Sequence, residues 1–236
     1  MRAKDTRYVA HFDMLGMSEL VLRDVDQAWG ALSDLAQAKE EILGLEIEVL
    51  SKKLKIRDRV WTFMFSDTVI LFTLGEEPED LYAVVVLCTE LFSRSLQKCV
   101  PLRGGIAHGV FRFNLDWELF AGPSLVEAYN LGERTQWLGI VIDPIVAERA
   151  TALSLEVTPG LSAIDEWKVP MKTGSRERRH VINWPAICQK SFTAPTPFTA
   201  EQFYQGFVPL FGPYSELPTS VKRKYENTVE YINSRL

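Results

Sequence analysis

Residues 63–72, FMFSDTVILF, place one acidic residue, Asp67, inside an otherwise apolar run. Burying an unpaired carboxylate costs several kcal/mol, so this acid must lie in a wet turn or beside a cation. The flanking segments RVWTFMF and TVILFTL are rich in the β-branched and aromatic residues typical of strands. The stretch therefore predicts a hairpin with Ser66 and Asp67 at or near its tip.

The segments before the hairpin predict a strand, a turn and a long helix. RYVAHFDM has the composition of a short buried strand, and Gly16 follows it in a turn. Apolar residues then recur at helical spacing from Ser18 to about Ser51, with Gly30 and Gly44 as possible breaks. A strand that passes through a tight turn into a helix is the expected start of the domain.

The segments after the hairpin complete an α+β domain. They predict a helix from Pro78, a strand in VPLRGGIAHGVFRF paired with WELFAG, a helix opened by Pro123 and Ser124, the strand IVID and a helix from Pro144 to Ala152. The order β-α-β-β-α-β predicts a ferredoxin-like core with a mainly antiparallel sheet, extra strands and two short C-terminal helices. We assign residues 1–185 to this domain and 186–236 to a helical extension packed on or near it, with 191–199 as a candidate linker.

Composition limits the class of protein. The chain has 236 residues, 47% of them hydrophobic, and a net charge of −5 with no long run of either sign, which argues against a nucleic-acid-binding or membrane-surface protein. Three widely spaced cysteines match neither a disulfide scaffold nor a zinc site. No apolar stretch has the length of a membrane span, and the N-terminus lacks a signal-peptide core. We expect a cytoplasmic protein.

Two pairs of polar residues are candidates for chemistry. Asp13 ends the first strand, which in this topology lies beside the hairpin, so Asp13 and Asp67 are expected to converge and to bind Mg²⁺ or Mn²⁺ between them. Asn130 and Arg134 are four positions apart and share one helix face, where they can bind ribose and phosphate. The alternatives are that the acids are turn residues and that the second pair is a solvated helix face.

Four segments, FDMLGMS, FSDTVIL, LRGGIAHG and GPSLVEAYNLGER, occur in the order and approximate spacing of motifs in the catalytic core of class III nucleotidyl cyclases, which residues 6–145 resemble. The resemblance implies two divalent cations, Mn²⁺ or Mg²⁺, with Asp13, Met14 (through its carbonyl) and Asp67 as metal ligands. It also implies a homodimer with two shared active sites, in which the acids of one subunit face Asn130 and Arg134 of the other. Asn130 would orient the ribose and Arg134 would stabilise the transition state. The implied phosphate contacts are Lys172 and the backbone from Phe12 to Met17, which includes Met14, Leu15 and Gly16. Arg103 matches the strand arginine of the family motif and is a further implied substrate-binding residue.

The base-selecting positions depart from the purine pattern. Purine cyclases of this class carry polar residues where this chain has Trp61 and Pro123, and neither of these can hydrogen-bond to a purine edge as usual. A short stand-alone cyclase of this kind resembles the pyrimidine cyclases of Pycsar anti-phage defence systems, which make cyclic UMP or cyclic CMP for a separate effector protein. We expect UTP as substrate, with Arg57 and Arg59 as donors to a uracil carbonyl.

Several alternatives remain open at this stage. In the first the substrate is CTP, and in the second it is a purine nucleotide. In a third the chain is an inactive nucleotide-binding module. Trp61 is a core aromatic residue in a fourth.

Overall fold

The computed structural model of the chain describes residues 2–49, 51–158, 160–188 and 197–235. Residues 191–196 of the predicted linker lie outside this part. The strands are β1 (Arg2–Met14), β2 (Glu46–Val49), β3 (Lys52–Lys55), β4 (Val60–Phe65), β5 (Thr68–Thr73), β6 (Leu102–Asn114), β7 (Leu119–Ala121), β8 (Ile140–Ile142), β9 (Glu156–Thr158), β10 (Leu161–Ser162), β11 (Ile164–Pro170) and β12 (Arg176–Ile182). The helices are α1 (Met17–Arg23), α2 (Val25–Leu43), α3 (Pro78–Gln97), α4 (Pro123–Glu133), α5 (Pro144–Ala152), α6 (Pro185–Cys188), α7 (Ala200–Tyr204), α8 (Val208–Phe211) and α9 (Thr219–Asn233).

One eight-stranded sheet organises the domain, in the order β11-β12-β8-β6-β1-β5-β4 with β7 paired to the free part of β6. Every neighbouring pair is antiparallel except β6 and β8. Its strands β6-β1-β5-β4, with α2 and α3 as the crossovers, form the predicted βαββαβ core. The predicted fold class is confirmed.

Successive side chains of β1 point to opposite faces of the sheet, and the two faces contribute to different hydrophobic clusters. Tyr8, Ala10 and Phe12 are buried in the main core, together with side chains of α2 and α3. Val9 points to the other face, where it joins a second cluster built from Phe72, Phe111, Phe113 and neighbouring aromatic residues. Asp13 shares the parity of Val9, so the fold places this acid away from the main core.

The long helix predicted from Ser18 to Ser51 is wrong in two respects. It breaks at Asp24, whose side chain caps α2 by accepting a hydrogen bond from the Gln27 amide at 3.0 Å, whereas Gly30 lies inside α2. It ends at Gly44, and a hairpin of β2 and β3 follows, in which Ile47 pairs with Leu54. The alternating pattern of Glu46–Val49 favours this strand over a further helical turn.

The C-terminal part contains more helix than predicted. In place of two short helices, the described residues after β12 form α6, α7, α8 and the 15-residue α9. The helix α9 is strongly amphipathic, and its apolar face buries Tyr225, Val229, Tyr231 and Ile232 against the domain. Each helix in the described part of the chain is too short or too polar to cross a membrane.

Candidate active site

Asp13 and Asp67 lie at the same end of the sheet. Asp13, one residue before the end of β1, pairs with Thr68 at the start of β5, directly beside the turn that holds Asp67. The Met14 amide donates a hydrogen bond to the Asp67 carbonyl at 2.9 Å, which ties the end of β1 to this turn. Both carboxylates are partly exposed. The structure therefore brings the two acids together, while their role as metal ligands stays a prediction.

The turn between β1 and α1 is predicted to contact phosphates through its backbone. Phe12, Met14 and Met17 bury their side chains in the main core, and the Met14 amide is already used in its bond to the Asp67 carbonyl. Gly16 has a φ of 78°, a left-handed conformation that glycine adopts without strain, and the Leu15 amide is held by the Pro101 carbonyl at 2.8 Å. The turn is thus set by the core on one side and by the start of β6 on the other.

Arg103 is the partner of Asp13 across β1 and β6. Its side chain is 7% exposed, and it donates to Asp13 Oδ2 from Nε at 3.1 Å and from Nη2 at 2.8 Å. The same guanidinium contacts the Glu133 carboxylate, which in turn binds the Lys172 ammonium. Four charged side chains, Asp13, Arg103, Glu133 and Lys172, therefore form one continuous network.

Glu133 is a site residue that the sequence reasoning missed. It lies within the NLGER segment, between the two polar residues singled out there, so its position was a usable signal. Its carboxylate holds Arg103 and Lys172 at once, which explains why three segments remote in the sequence converge here. Lys172 is further fixed by its amide, which donates to the Arg134 carbonyl at 2.8 Å.

The donor set fits a hard divalent cation. Both bonds from Arg103 use Oδ2 of Asp13, which leaves Oδ1 without a protein donor among the described residues. The same part of the chain contains no cluster of three His, Cys, Asp or Glu side chains suited to a metal. Two carboxylates, backbone carbonyls and substrate oxygens are the ligands that Mg²⁺ and Mn²⁺ accept. Asp13, Asp67 and the Met14 carbonyl would hold such an ion.

His11 lies on the same face of β1 as Asp13, so its pKa depends on the charges there. Its ring makes an edge contact with Tyr129 of α4, with ring centres 5.2 Å apart. Burial lowers the pKa of His11, although the nearby carboxylates of Asp13 and Asp67 oppose this shift. His11 is thus disposed to stay neutral beside the two acids.

Asn130 and Arg134 lie at the C-terminal end of α4. Asn130 is half-buried and Arg134 is exposed. Neither side chain forms a hydrogen bond to Asp13 or Asp67 within the described residues. One copy of the chain therefore unites the two acids with Arg103 and Lys172, but it leaves the Asn130–Arg134 pair outside that group.

Glycines let α4 lie close to the sheet. A Cβ atom on Gly105 would stand 2.4 Å from the Ala128 carbonyl oxygen, and one on Gly132 would stand 3.0 Å from the Gly104 Cα. Real side chains do not tolerate the first of these distances. Gly104 and Gly105 of β6 therefore determine how far Asn130 and Arg134 of α4 lie from the sheet.

The predicted base-contacting residues are not gathered with the acids. Trp61 packs among the aromatic rings of the second cluster, and its ring centre is 5.8 Å from that of Phe113. Along the sheet Trp61 is aligned with Val9, four residues or about 13 Å from Asp13. Arg59 pairs with Asp80 at 3.6 Å, and Arg57 donates to the Leu43 carbonyl at 3.4 Å. Pro123 is exposed at the first position of α4. Their roles in base selection stay predictions.

Comparison with known proteins bears on the fold. No family model matches the sequence, and neither does any curated protein. Among solved structures, the adenylyl cyclase CyaB from P. aeruginosa superposes with a TM-score of 0.54 at 12% identity, covering 77% of this chain and 95% of that one. The monomeric guanylyl cyclase domain of the RhoGC fusion protein from the aquatic fungus Blastocladiella emersonii gives a TM-score of 0.55 at 10% identity, covering 77% and 97%. The fold is that of class III nucleotidyl cyclases.

A third solved structure, a bacterial light-regulated adenylyl cyclase, gives a TM-score of 0.52 at 9% identity and covers 89% of this chain and 57% of that one. Identities this low establish the shared fold and leave substrate and activity open. In this chain Asp13 lies near the end of β1, Asp67 in the β4–β5 turn and Asn130 on α4, and their roles stay predictions.

Proposed function

We propose that the protein is a metal-dependent nucleotidyl cyclase that converts UTP to 3′,5′-cyclic UMP and pyrophosphate. The observation that carries this proposal is the convergence of Asp13 and Asp67 at one end of a class III cyclase sheet, beside the buried Arg103. A module that only binds a nucleotide would not need two adjacent acids, a buried arginine and the Asn130–Arg134 pair together.

The reaction is an in-line substitution at the α-phosphorus. The ribose 3′-oxygen forms the new bond, the bond to the bridging oxygen breaks, and pyrophosphate leaves while the 3′-hydroxyl proton passes to solvent. Divalent cations, when bound, supply the charge that lowers the pKa of the 3′-hydroxyl. Arg103 would hold Asp13 in position, Lys172 would contact the phosphates, Asn130 would orient the ribose, and Arg134 would meet the charge that develops at the α-phosphate.

We further propose a homodimer with two shared sites. Large apolar side chains are exposed around the site: Phe65 beside the β4–β5 turn is 85% exposed, and Val126 and Tyr129 on α4 are 60% and 45% exposed. A second copy that covers these side chains would place its own Asn130 and Arg134 over the acids of the first. This pairing would complete a site that a single copy leaves divided.

The pyrimidine assignment rests on the base-selecting positions. Trp61 and Pro123 offer no donor and acceptor pair suited to a purine edge, and the bulk of Trp61 favours a smaller base. By its resemblance to the pyrimidine cyclases of anti-phage defence, the enzyme would make a second messenger for a separate effector protein. Cyclic CMP from CTP is the second candidate product.

Product identification tests the proposal directly. Purified protein with Mn²⁺ is incubated with each of the four nucleoside triphosphates in turn, and products are identified by mass spectrometry. We expect cyclic UMP and pyrophosphate from UTP, and none from the Asp67→Ala variant. Product from CTP, ATP or GTP alone would correct the base assignment, and no product from any of the four would contradict the cyclase proposal.

A further inference from the structure

The C-terminal segment packs against the β1–α1 turn. A Cβ atom on Gly16 would stand 3.0 Å from the Phe211 ring at the end of α8. Next to this contact, the Arg23 side chain at the end of α1 donates to the Leu210 carbonyl. The extension is therefore in direct contact with one wall of the candidate active site.

The helix α9 is anchored beside α4. The Gln136 side chain donates to the Ser220 carbonyl at 2.6 Å, and Asn227 returns a bond to the Gln136 carbonyl at 2.6 Å. The hydroxyl of Thr228, which is fully buried, accepts from the Leu138 amide at 2.8 Å. These contacts fix the rotation of α9 and therefore the direction of its polar face.

A basic cleft of about 680 Å³ lies between α9 and the loop that joins β11 to β12. Its walls carry four cationic side chains, Lys172, Arg176, Arg223 and Lys224, and one acidic one, Glu226. Arg176 is paired with Glu230 and Lys172 with Glu133. Arg223 and Lys224 have no ion pair in the part of the chain that the structure describes. The cleft therefore has cationic groups free to bind an anion.

Lys224 is also part of the electrostatic environment of the candidate active site. Its side chain is half-buried, and burial lowers its pKa, as do the positive charges of Arg103 and Lys172. The carboxylates of Asp13 and Glu133 act in the opposite direction. Lys172 lines the same cleft as Lys224 and binds Glu133, which also contacts Arg103 beside Asp13, so the cleft borders the charged network of the candidate site. Its four cationic side chains against one acidic one are an excess of positive charge that a phosphate chain would balance.

We propose that Lys224 binds the terminal phosphates of the substrate, so that the C-terminal helix is a working part of the active site that contains Asp13 of the same copy. The inference rests on the proposed function for the identity of the substrate. The ligand chemistry itself, a polyphosphate chain, follows from the cleft and its charges. Lys224 is a lysine outside the segments that resemble the cyclase core.

Calorimetric titration with inorganic tripolyphosphate tests this without requiring turnover. Loss of one charged hydrogen bond weakens binding about 10- to 100-fold, which is the effect expected for Lys224→Gln, whereas Lys224→Arg should bind as the wild type does. The matched control is Lys222→Gln, which removes the same charge from α9. Lys222 binds the Ser215 carbonyl at 2.8 Å and lies over the Tyr214 ring, so its loss should leave binding unchanged.

Either no tripolyphosphate binding by the wild type or equal binding by the wild type and Lys224→Gln would overturn the inference. If Lys224→Gln does not fold, Lys224→Met, which keeps the aliphatic stem, takes its place. In the cyclase assay, Lys224→Gln should raise KM more than it lowers kcat. Activity that is unaffected by Lys224→Gln refutes this inference alone, while tripolyphosphate binding without product from any nucleotide refutes only the cyclase proposal.

Discussion

Asp13 has a structural partner that Asp67 lacks, so neutralising each acid should affect stability differently. In Asp13→Asn the two hydrogen bonds from Arg103, at 2.8 and 3.1 Å, lose their ionic character, although the amide oxygen still accepts. Asp67 has no side-chain partner of this kind among the described residues, and Asp67→Asn keeps the carbonyl that binds the Met14 amide. Asp67→Asn should also relieve repulsion between the acids.

The size of the difference follows from exposure. A hydrogen bond to a charged group contributes about 1 kcal/mol more than a neutral one, and the two bonds share an Asp13 side chain that is 31% exposed. We therefore expect Asp13→Asn to lower the free energy of unfolding by about 1 to 2 kcal/mol, or Tm by about 2 to 8 °C for a domain of this size. Asp67→Asn should leave Tm unchanged or slightly higher.

Thermal unfolding in EDTA, followed by circular dichroism, measures this difference. Repeating the scan with Mn²⁺ adds a second comparison, because an ion that binds only the folded state raises Tm. The wild type should gain stability with Mn²⁺, and both variants should gain little. Equal Tm losses for the two variants in EDTA would refute the Arg103–Asp13 pairing, and a full Mn²⁺ gain in either variant would refute its role as a metal ligand.

Three further predictions concern α4 and the assembly. Because the Arg134 side chain is exposed, Arg134→Ala should leave Tm unchanged and lower kcat about 10²- to 10³-fold in steady-state assays; a change confined to KM would contradict a transition-state role. Mixing the Asp67→Ala and Arg134→Ala proteins should restore about a quarter of wild-type activity, because half the dimers then hold one intact site; no recovery after subunit exchange would argue against shared sites. Gly105→Ala puts a Cβ atom 2.4 Å from the Ala128 carbonyl oxygen, so it should cost about 1 to 3 kcal/mol in urea unfolding, and unchanged stability would show that α4 can move.

Local patterns in the sequence were enough to predict the sheet and its acids. The apolar runs around Ser66 and Asp67 specify a hairpin, and the order of strands and helices places β1 beside β5. Alternation in β1 then directs Asp13 away from the main core. The error in the first helix arose because the capping side chain of Asp24 and the strand pairing of residues 46–55 compete with a helical period that continues through them.

Contacts between distant segments were decided only by the tertiary structure. Arg103 meets Asp13 because β1 and β6 pair in one register, and Glu133 joins them because glycines in β6 let α4 lie close. Lys224, near the far end of the chain, lines one cleft with Lys172 because α9 docks on Gln136. Periodicity and turn propensity are properties of a few consecutive residues. The meeting of side chains thirty to ninety positions apart depends on how whole elements pack, and that free energy has no local signature in the sequence.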